Sequence, residues 1–205
     1  ARNLNAFAGV NGGQADELGL KLSGVEFGLA LMSEQVAAGH TGMARSWTTL
    51  QASATGAALV GVEGLTASVE DVELQINRAG VEGAPVVDYG FVSGESGPRK
   101  SEVSVATAID HELELTLDGA QGEMLRASAN IRLDAFGFVQ ISGGMALEKR
   151  TETVILNDGV ISEDETKAKA PSEIKVDLLT IGGSGLDAFA GVRGGTDSAI
   201  GLSLQ

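Results

Sequence analysis

Apolar and polar residues alternate along several stretches of the chain, with the two-residue period of a strand that buries one face. Val25-Glu26-Phe27-Gly28-Leu29-Ala30-Leu31 is one such run, and Leu65-Thr66-Ala67-Ser68-Val69 and Val72-Glu73-Leu74-Gln75-Ile76-Asn77 are two more. Leu113-Glu114-Leu115-Thr116-Leu117 follows, and Ala127 to Ala135 carries the pattern furthest. Gly61, Gly64, Gly119, Gly122 and the Gly143-Gly144 pair punctuate these runs where hairpin turns or bulges call for positive φ. Three segments break the rhythm, 33–46, 78–100 and 157–173, each small, polar or charged. The last contains Ser162-Glu163-Asp164-Glu165-Thr166-Lys167 and ends at Pro171, and it reads as an exposed loop. Alternating strands joined by short glycine turns predict an antiparallel meander, because parallel neighbours need crossovers of about a dozen residues or more.

The two ends of the chain are alike. Residues 4–22 read LNAFAGVNGGQADELGLKL and residues 186–204 read LDAFAGVRGGTDSAIGLSL, identical at 11 of 19 positions without a gap at an offset of 182. This is the mark of a tandem repeat. The expected organisation is one repeat unit over 1–182 and the start of the next over 183–205, in a chain cut from a longer array. Leu133-Asp134-Ala135-Phe136 echoes Leu186-Asp187-Ala188-Phe189 and hints at an older, shorter repeat. Leu4, Phe7 and Val10, with their counterparts Leu186, Phe189 and Val192, are the residues expected at the interface between units.

Composition agrees with an all-β chain. There are 29 glycines and 3 prolines, and a glycine inside a helix costs about 1 kcal/mol relative to alanine. Hydrophobic residues make up 43% but aromatics only 4%, so the expected interior is Val, Leu, Ile and Ala. Such a sheet can cover its apolar face by curving on into the next repeat, like a solenoid, by forming a β-sandwich, or by closing into a barrel. The repeat favours the first.

Charge and cysteine usage narrow the partners. A net charge of −14, with no basic stripe among 14 Lys and Arg residues, speaks against nucleic acid and anionic membrane surfaces. No apolar run is long enough for a membrane span, so membrane insertion is not expected. The absence of cysteine removes disulfides, thiolate metal sites and thiol nucleophiles.

No residue set reads as catalytic, and the chain is expected not to be an enzyme. Asp110-His111-Glu112 cannot converge on one ion while successive strand residues point to opposite faces. No serine sits in a nucleophile elbow, and no phosphate loop or dinucleotide fingerprint is present. A pair such as Glu112 and Glu114 is not distinguished from surface charge. No cofactor is called for by a motif. Calcium is the one ion that the acidic loops suit, with Asp158, Glu163, Asp164 and Asp197 the candidate ligands beside the plainer reading of solvated charge. Trp47, the sole tryptophan, reads as a core or interface anchor rather than a carbohydrate platform.

GVEFGLALM (24–32), RSWTTLQASA (45–54), LVGVEGLTASVEDVELQINRA (59–79), VVDYG (86–90) and LDAFGFVQISGGMALEKR (133–150) together resemble repeat units of very large bacterial surface or secreted proteins. Some of those carry LEPR-XLL-type N-terminal regions, and others are described as calcium-binding or adhesin-like. The resemblance spans most of the chain and implies location and repetition rather than chemistry. The glycine-rich, aspartate-bearing nonapeptide of calcium-binding β-rolls is absent. The resulting expectation is an extracellular or cell-surface structural module, a stalk spacer or fibre building block. Its partners are neighbouring copies of the repeat, joined end to end and open to lateral self-association. A lipid-carrying groove and a calcium-dependent adhesin module are the alternatives.

Overall fold

A computed structural model describes residues 2–37, 41–89, 101–157 and 172–204. Ten strands form: β1 (Leu4–Val10), β2 (Leu18–Ser33), β3 (Ser46–Val60), β4 (Leu65–Ala79), β5 (Ser104–Ala108), β6 (His111–Glu114), β7 (Met124–Ala135), β8 (Val139–Leu156), β9 (Ser172–Val192) and β10 (Ile200–Leu204). Eight of them make one sheet in the order β1-β2-β3-β4-β7-β8-β9-β10, every neighbour antiparallel. The chain is all-β and largely a meander. A 3-10 turn at Gly119–Gln121 is the one helical segment among the described residues.

The excursion between β4 and β7 supplies the second layer. β5 and β6 pair as a separate hairpin that lies over β2. A Cβ at Gly28 would stand 3.0 Å from Leu113 Cδ2 and 3.2 Å from Val105 Cβ, so this glycine lets the hairpin approach the sheet. The alternation read at 113–117 holds, with Leu115 and Leu117 fully buried and Thr116 outside. Leu115 donates its amide to the Val103 carbonyl and Tyr89 donates to Leu117, so the segment before β5 joins the same cap.

The core is small and differs from the aliphatic interior that composition suggests. Its buried hydrophobic members are Tyr89, Leu115, Leu117 and Met124. They meet where the cap touches the sheet, which is where two layers exclude water. Elsewhere the strands place apolar side chains in continuous rows on a face that nothing among the described residues covers. One row runs Phe27, Ala52, Leu74, Ala127, Leu147, Ile181 across six strands. Another crosses all eight strands as Ala8, Leu20, Leu59, Ala67, Leu133, Ile141, Ala188, Leu204. Ile181 is 67% exposed and Leu204 also 67%.

The sheet is open and neither closed nor curled. Of the segment that a sandwich would need for a second large sheet, the described residues 80–89 and 101–123 form a two-stranded hairpin, a 3-10 turn and loops instead. Irregularities cross the sheet near its middle, with bulges between Leu4 and Ala6, Glu70 and Glu73, and Ser142 and Gly144. Asp71 (φ 52) and Gly185 (φ 55) sit in them with left-handed backbone.

Candidate functional site at the sheet edges

The two similar sequence segments fold into the same hairpin and lie at opposite edges of the one sheet. β1 pairs with β2 as Ala6↔Leu22, Phe7↔Lys21, Ala8↔Leu20, Gly9↔Gly19 and Val10↔Leu18. β9 pairs with β10 as Ala188↔Leu204, Phe189↔Ser203, Ala190↔Leu202, Gly191↔Gly201 and Val192↔Ile200, which is the same register shifted by 182. The turns agree bond for bond. Gln14 donates to the Asn11 carbonyl and Glu17 to Gln14, while Thr196 donates to Arg193 and Ala199 to Thr196. Left-handed residues match as well: Asn11 and Gly13 in one turn, Arg193 and Gly195 in the other, and Asn3 with Gly185 ahead of each strand.

Physical constraints explain which positions stay identical. A Cβ at Gly9 would lie 2.7 Å from the Gly19 Cα, and one at Gly191 would lie 2.6 Å from the Gly201 Cα, so these strand pairs approach too closely for side chains. The aromatic ring folds back over its own turn, since a Cβ at Gly12 would be 2.5 Å from Phe7 Cδ1 and one at Gly194 would be 2.7 Å from Phe189 Cδ1. Phe7 and Phe189 are thus clamps within each hairpin. Leu4 and Val10, and Leu186 and Val192, remain exposed along the strands.

The surroundings of the two hairpins differ: the C-terminal one has β8 beside β9, whereas the N-terminal one has β3 beside β2. Val139↔Ala190, Gln140↔Phe189, Ile141↔Ala188 and Ser142↔Asp187 are paired, and Gly191 and Gly194 donate to the Phe138 and Gly137 carbonyls at 2.8 and 3.0 Å. The Gln140 side chain lies beneath the Gly194-Gly195 turn and donates to Asp134 Oδ2 at 2.7 Å. That bond, with the Gly137 amide, holds the Asp134 carboxyl below its usual range. Gln140 did not stand out in the sequence, where it is one polar residue in an alternating strand. A trough of about 530 Å³ lies here, with Arg132, Asp134, Gln140, Asp187 and Phe189 among its walls.

The tetrapeptide echo at Leu133 is not a third copy of this hairpin. In the terminal segments Phe7 and Phe189 lie inside strands, whereas Phe136 (φ 57) lies in the β7–β8 turn against Gly64.

Of the calcium candidates, Asp158, Glu163 and Asp164 lie outside the described residues. Asp197 is exposed in the β9–β10 turn, and its counterpart is Ala15. The nearby Asp16 accepts from Asn11 and Glu17 accepts from Gly13 and Lys21, which lowers the Glu17 pKa through Lys21 first. Their counterparts are Ser198 and Ala199, so no acidic set recurs in the repeat. No group of three or more metal-binding side chains converges among the described residues. In the Asp110-His111-Glu112 stretch, Asp110 (φ 57) turns the hairpin and Glu112 faces outward. His111 Nδ1 meets Thr107 Oγ1 at 2.7 Å, and Thr107 donates to Glu26, tying the cap to β2. Trp47 anchors the loop before β5 by donating to the Pro85 carbonyl at 2.9 Å, with Arg45 stacked over its ring.

Comparison with family models, curated proteins and solved structures gives no match. The site offers two backbone edges, β1 and β10, which belong to opposite sides of the repeated hairpin, and no gathered set of reactive side chains among the described residues.

Proposed function

We propose that the chain is a structural repeat module of an extracellular or cell-surface protein, whose sheet runs on from each unit into the next and builds a stalk or fibre. The observation that carries this reading is the shared register of the β1–β2 and β9–β10 hairpins at the two edges of one sheet. An open sheet edge is a template for another strand, and a hairpin that already closes one unit can open the following one. The apolar rows, half-buried in the middle strands and exposed at Leu20, Leu147, Ile181 and Leu204, support the same reading, because a sheet that stacks or extends finds cover in its neighbours. Curvature of the assembled sheet, acidic loops as calcium sites, and lateral pairing belong to this reading as further proposals.

The test is a chain of three consecutive units compared with a single unit. The three-unit chain is expected to unfold at a higher denaturant midpoint, by several kcal/mol, and to image as a stiff rod. Equal midpoints and separate globules on a flexible thread would leave independent domains and remove the continuous sheet.

A further inference from the structure

We propose that the outer edge of β1, with the glycine notch at Gly12-Gly13, docks the Val139–Ser142 edge of β8 from a second copy of this chain, and that the β9–β10 hairpin occupies this β8 edge within one copy. The inference deepens the repeat reading and rests on it.

Three observations carry it. First, β9 shows what lies beside a hairpin of this kind: Val139, Gln140, Ile141 and Ser142 face Ala190, Phe189, Ala188 and Asp187. Moved by the repeat offset, the same partners are Ala8, Phe7, Ala6 and Asn5. Three of these four are identical to their counterparts. Second, the turn glycines form a notch whose occupant is visible at one end. A Cβ at Gly194 would meet Gln140 Oε1 at 2.9 Å, and one at Gly195 would meet Gln140 Nε2 at 3.3 Å. At Gly12 the three atoms nearest the added one all belong to Phe7, and at Gly13 it meets nothing within 4 Å. The N-terminal notch thus has the shape that receives Gln140 at the other edge. Third, the amides that Phe138 and Gly137 accept belong to Gly191 and Gly194, whose counterparts Gly9 and Gly12 are both kept as glycine.

Strand addition of this kind takes its affinity from main-chain hydrogen bonds and its register from side-chain slots. The contact is heterologous, one edge meeting a different edge, so it generates an open chain of copies rather than a closed dimer. Within a single copy the C-terminal hairpin competes for the β8 edge and keeps the chain from polymerising.

The test uses the 205-residue chain, whose lack of cysteine makes introduced pairs unambiguous. Directly opposed residues in an antiparallel pair stand about 4.5–5.5 Å apart, within reach of a disulfide. Val139→Cys with Ala190→Cys should close inside one chain and validates the position. Gly191→Pro removes the amide given to Phe138 and places a ring against the Ile200 carbonyl, which loosens the hairpin from β8. A chain carrying Gly191→Pro, Ala8→Cys and Val139→Cys is expected to give a ladder of disulfide-linked multimers under mild oxidation. The two cysteines without Gly191→Pro should give monomer, and moving the second cysteine to Gln140→Cys should abolish the ladder. A second variant of the same 205 residues, with residues 186–204 exchanged for the sequence of 4–22, does not depend on Gly191→Pro folding. It should melt as the parent does and keep hydrogen-exchange protection over Val139–Ser142. No ladder, a ladder indifferent to position, or lost protection in the exchanged chain overturns the pairing. If the three-unit chain is nevertheless stabilised over one unit, the repeat reading stands and this register alone fails; if it is not, both fall.

Discussion

Asn77 lies fully buried between β3 and the segment leading to Tyr89. Its amide nitrogen donates to the Val87 carbonyl at 2.8 Å, and its oxygen accepts from Thr49 Oγ1 at 3.3 Å. The Thr49 hydroxyl in turn contacts the Tyr89 hydroxyl at 2.7 Å, and burial pushes the Tyr89 pKa up. Replacing Asn77 by leucine strands the Val87 carbonyl in the core, which costs about 1–3 kcal/mol. Urea unfolding of Asn77→Leu should show that loss, while Thr116→Ala, which gives up only an exposed hydroxyl bond to Gln51, should lose much less. Glu148 supplies a pH dependence. Burial opposes its ionisation, yet hydrogen bonds from Arg126 and Arg150 outweigh that, and its pKa is lowered. A carboxyl with a folded pKa below its unfolded value stabilises the fold above that unfolded value, and the contribution is lost as pH falls through the folded value. Melting of the parent should decline on acidification into that range. Glu148→Gln should lack this part of the decline and be less stable at neutral pH, where Arg126 would lose its carboxylate and keep Gln121, while Arg150 would keep only Glu152.

At the scale of elements, the β5–β6 hairpin depends on the bare backbone of Gly28. Gly28→Val forces a side chain into Leu113 and Val105, an overpacking that costs about 1–3 kcal/mol. Amide exchange should accelerate over 104–114 while the centre of β3 and β4 stays protected. An equal loss of protection throughout would mean that the hairpin and the sheet form one cooperative block. The strands themselves were legible because alternation is written in successive residues: each alternating run from Val25 to Ala135 falls in a strand or its direct continuation. Where the cap lands was not. Its position depends on Gly28, Asn77 and Tyr89 meeting across distances that a two-residue period does not encode. The buried Tyr89 was hidden for the same reason, being the only tyrosine in a segment without strand rhythm.

At the scale of the molecule, the described residues form a broad sheet with a small buried core and long, partly exposed apolar rows. Burying the remainder of a half-exposed leucine is worth about 1 kcal/mol, so covering a few such residues between units accounts for the several kcal/mol expected of three units over one. Net charge opposes the gain. At −14 per chain, units repel one another, and the advantage of the three-unit chain should widen as salt shortens the screening length to about 8 Å near physiological ionic strength. The repeat at the ends was readable from identity alone, but its structural meaning was not. Only the pairing of β8 with β9 shows that the repeated segment comes with a neighbour, and Gln140 marks that neighbour without any signature in the sequence.

The row that crosses all eight strands begins at Ala8 and reaches β9 at Ala188, whose repeat counterpart is Ala6. A straight walk across the six strands of one unit therefore slips by two residues. Six strand spacings cover about 29 Å and two residues about 7 Å along a strand, so successive units joined in this way would step sideways by roughly one part in four. The long axis of an assembly would lean about 13° from the hydrogen-bond direction. Its polarity would be fixed too, because an even number of strands returns each unit facing the same way, with unlike surfaces at the growing and the trailing tip.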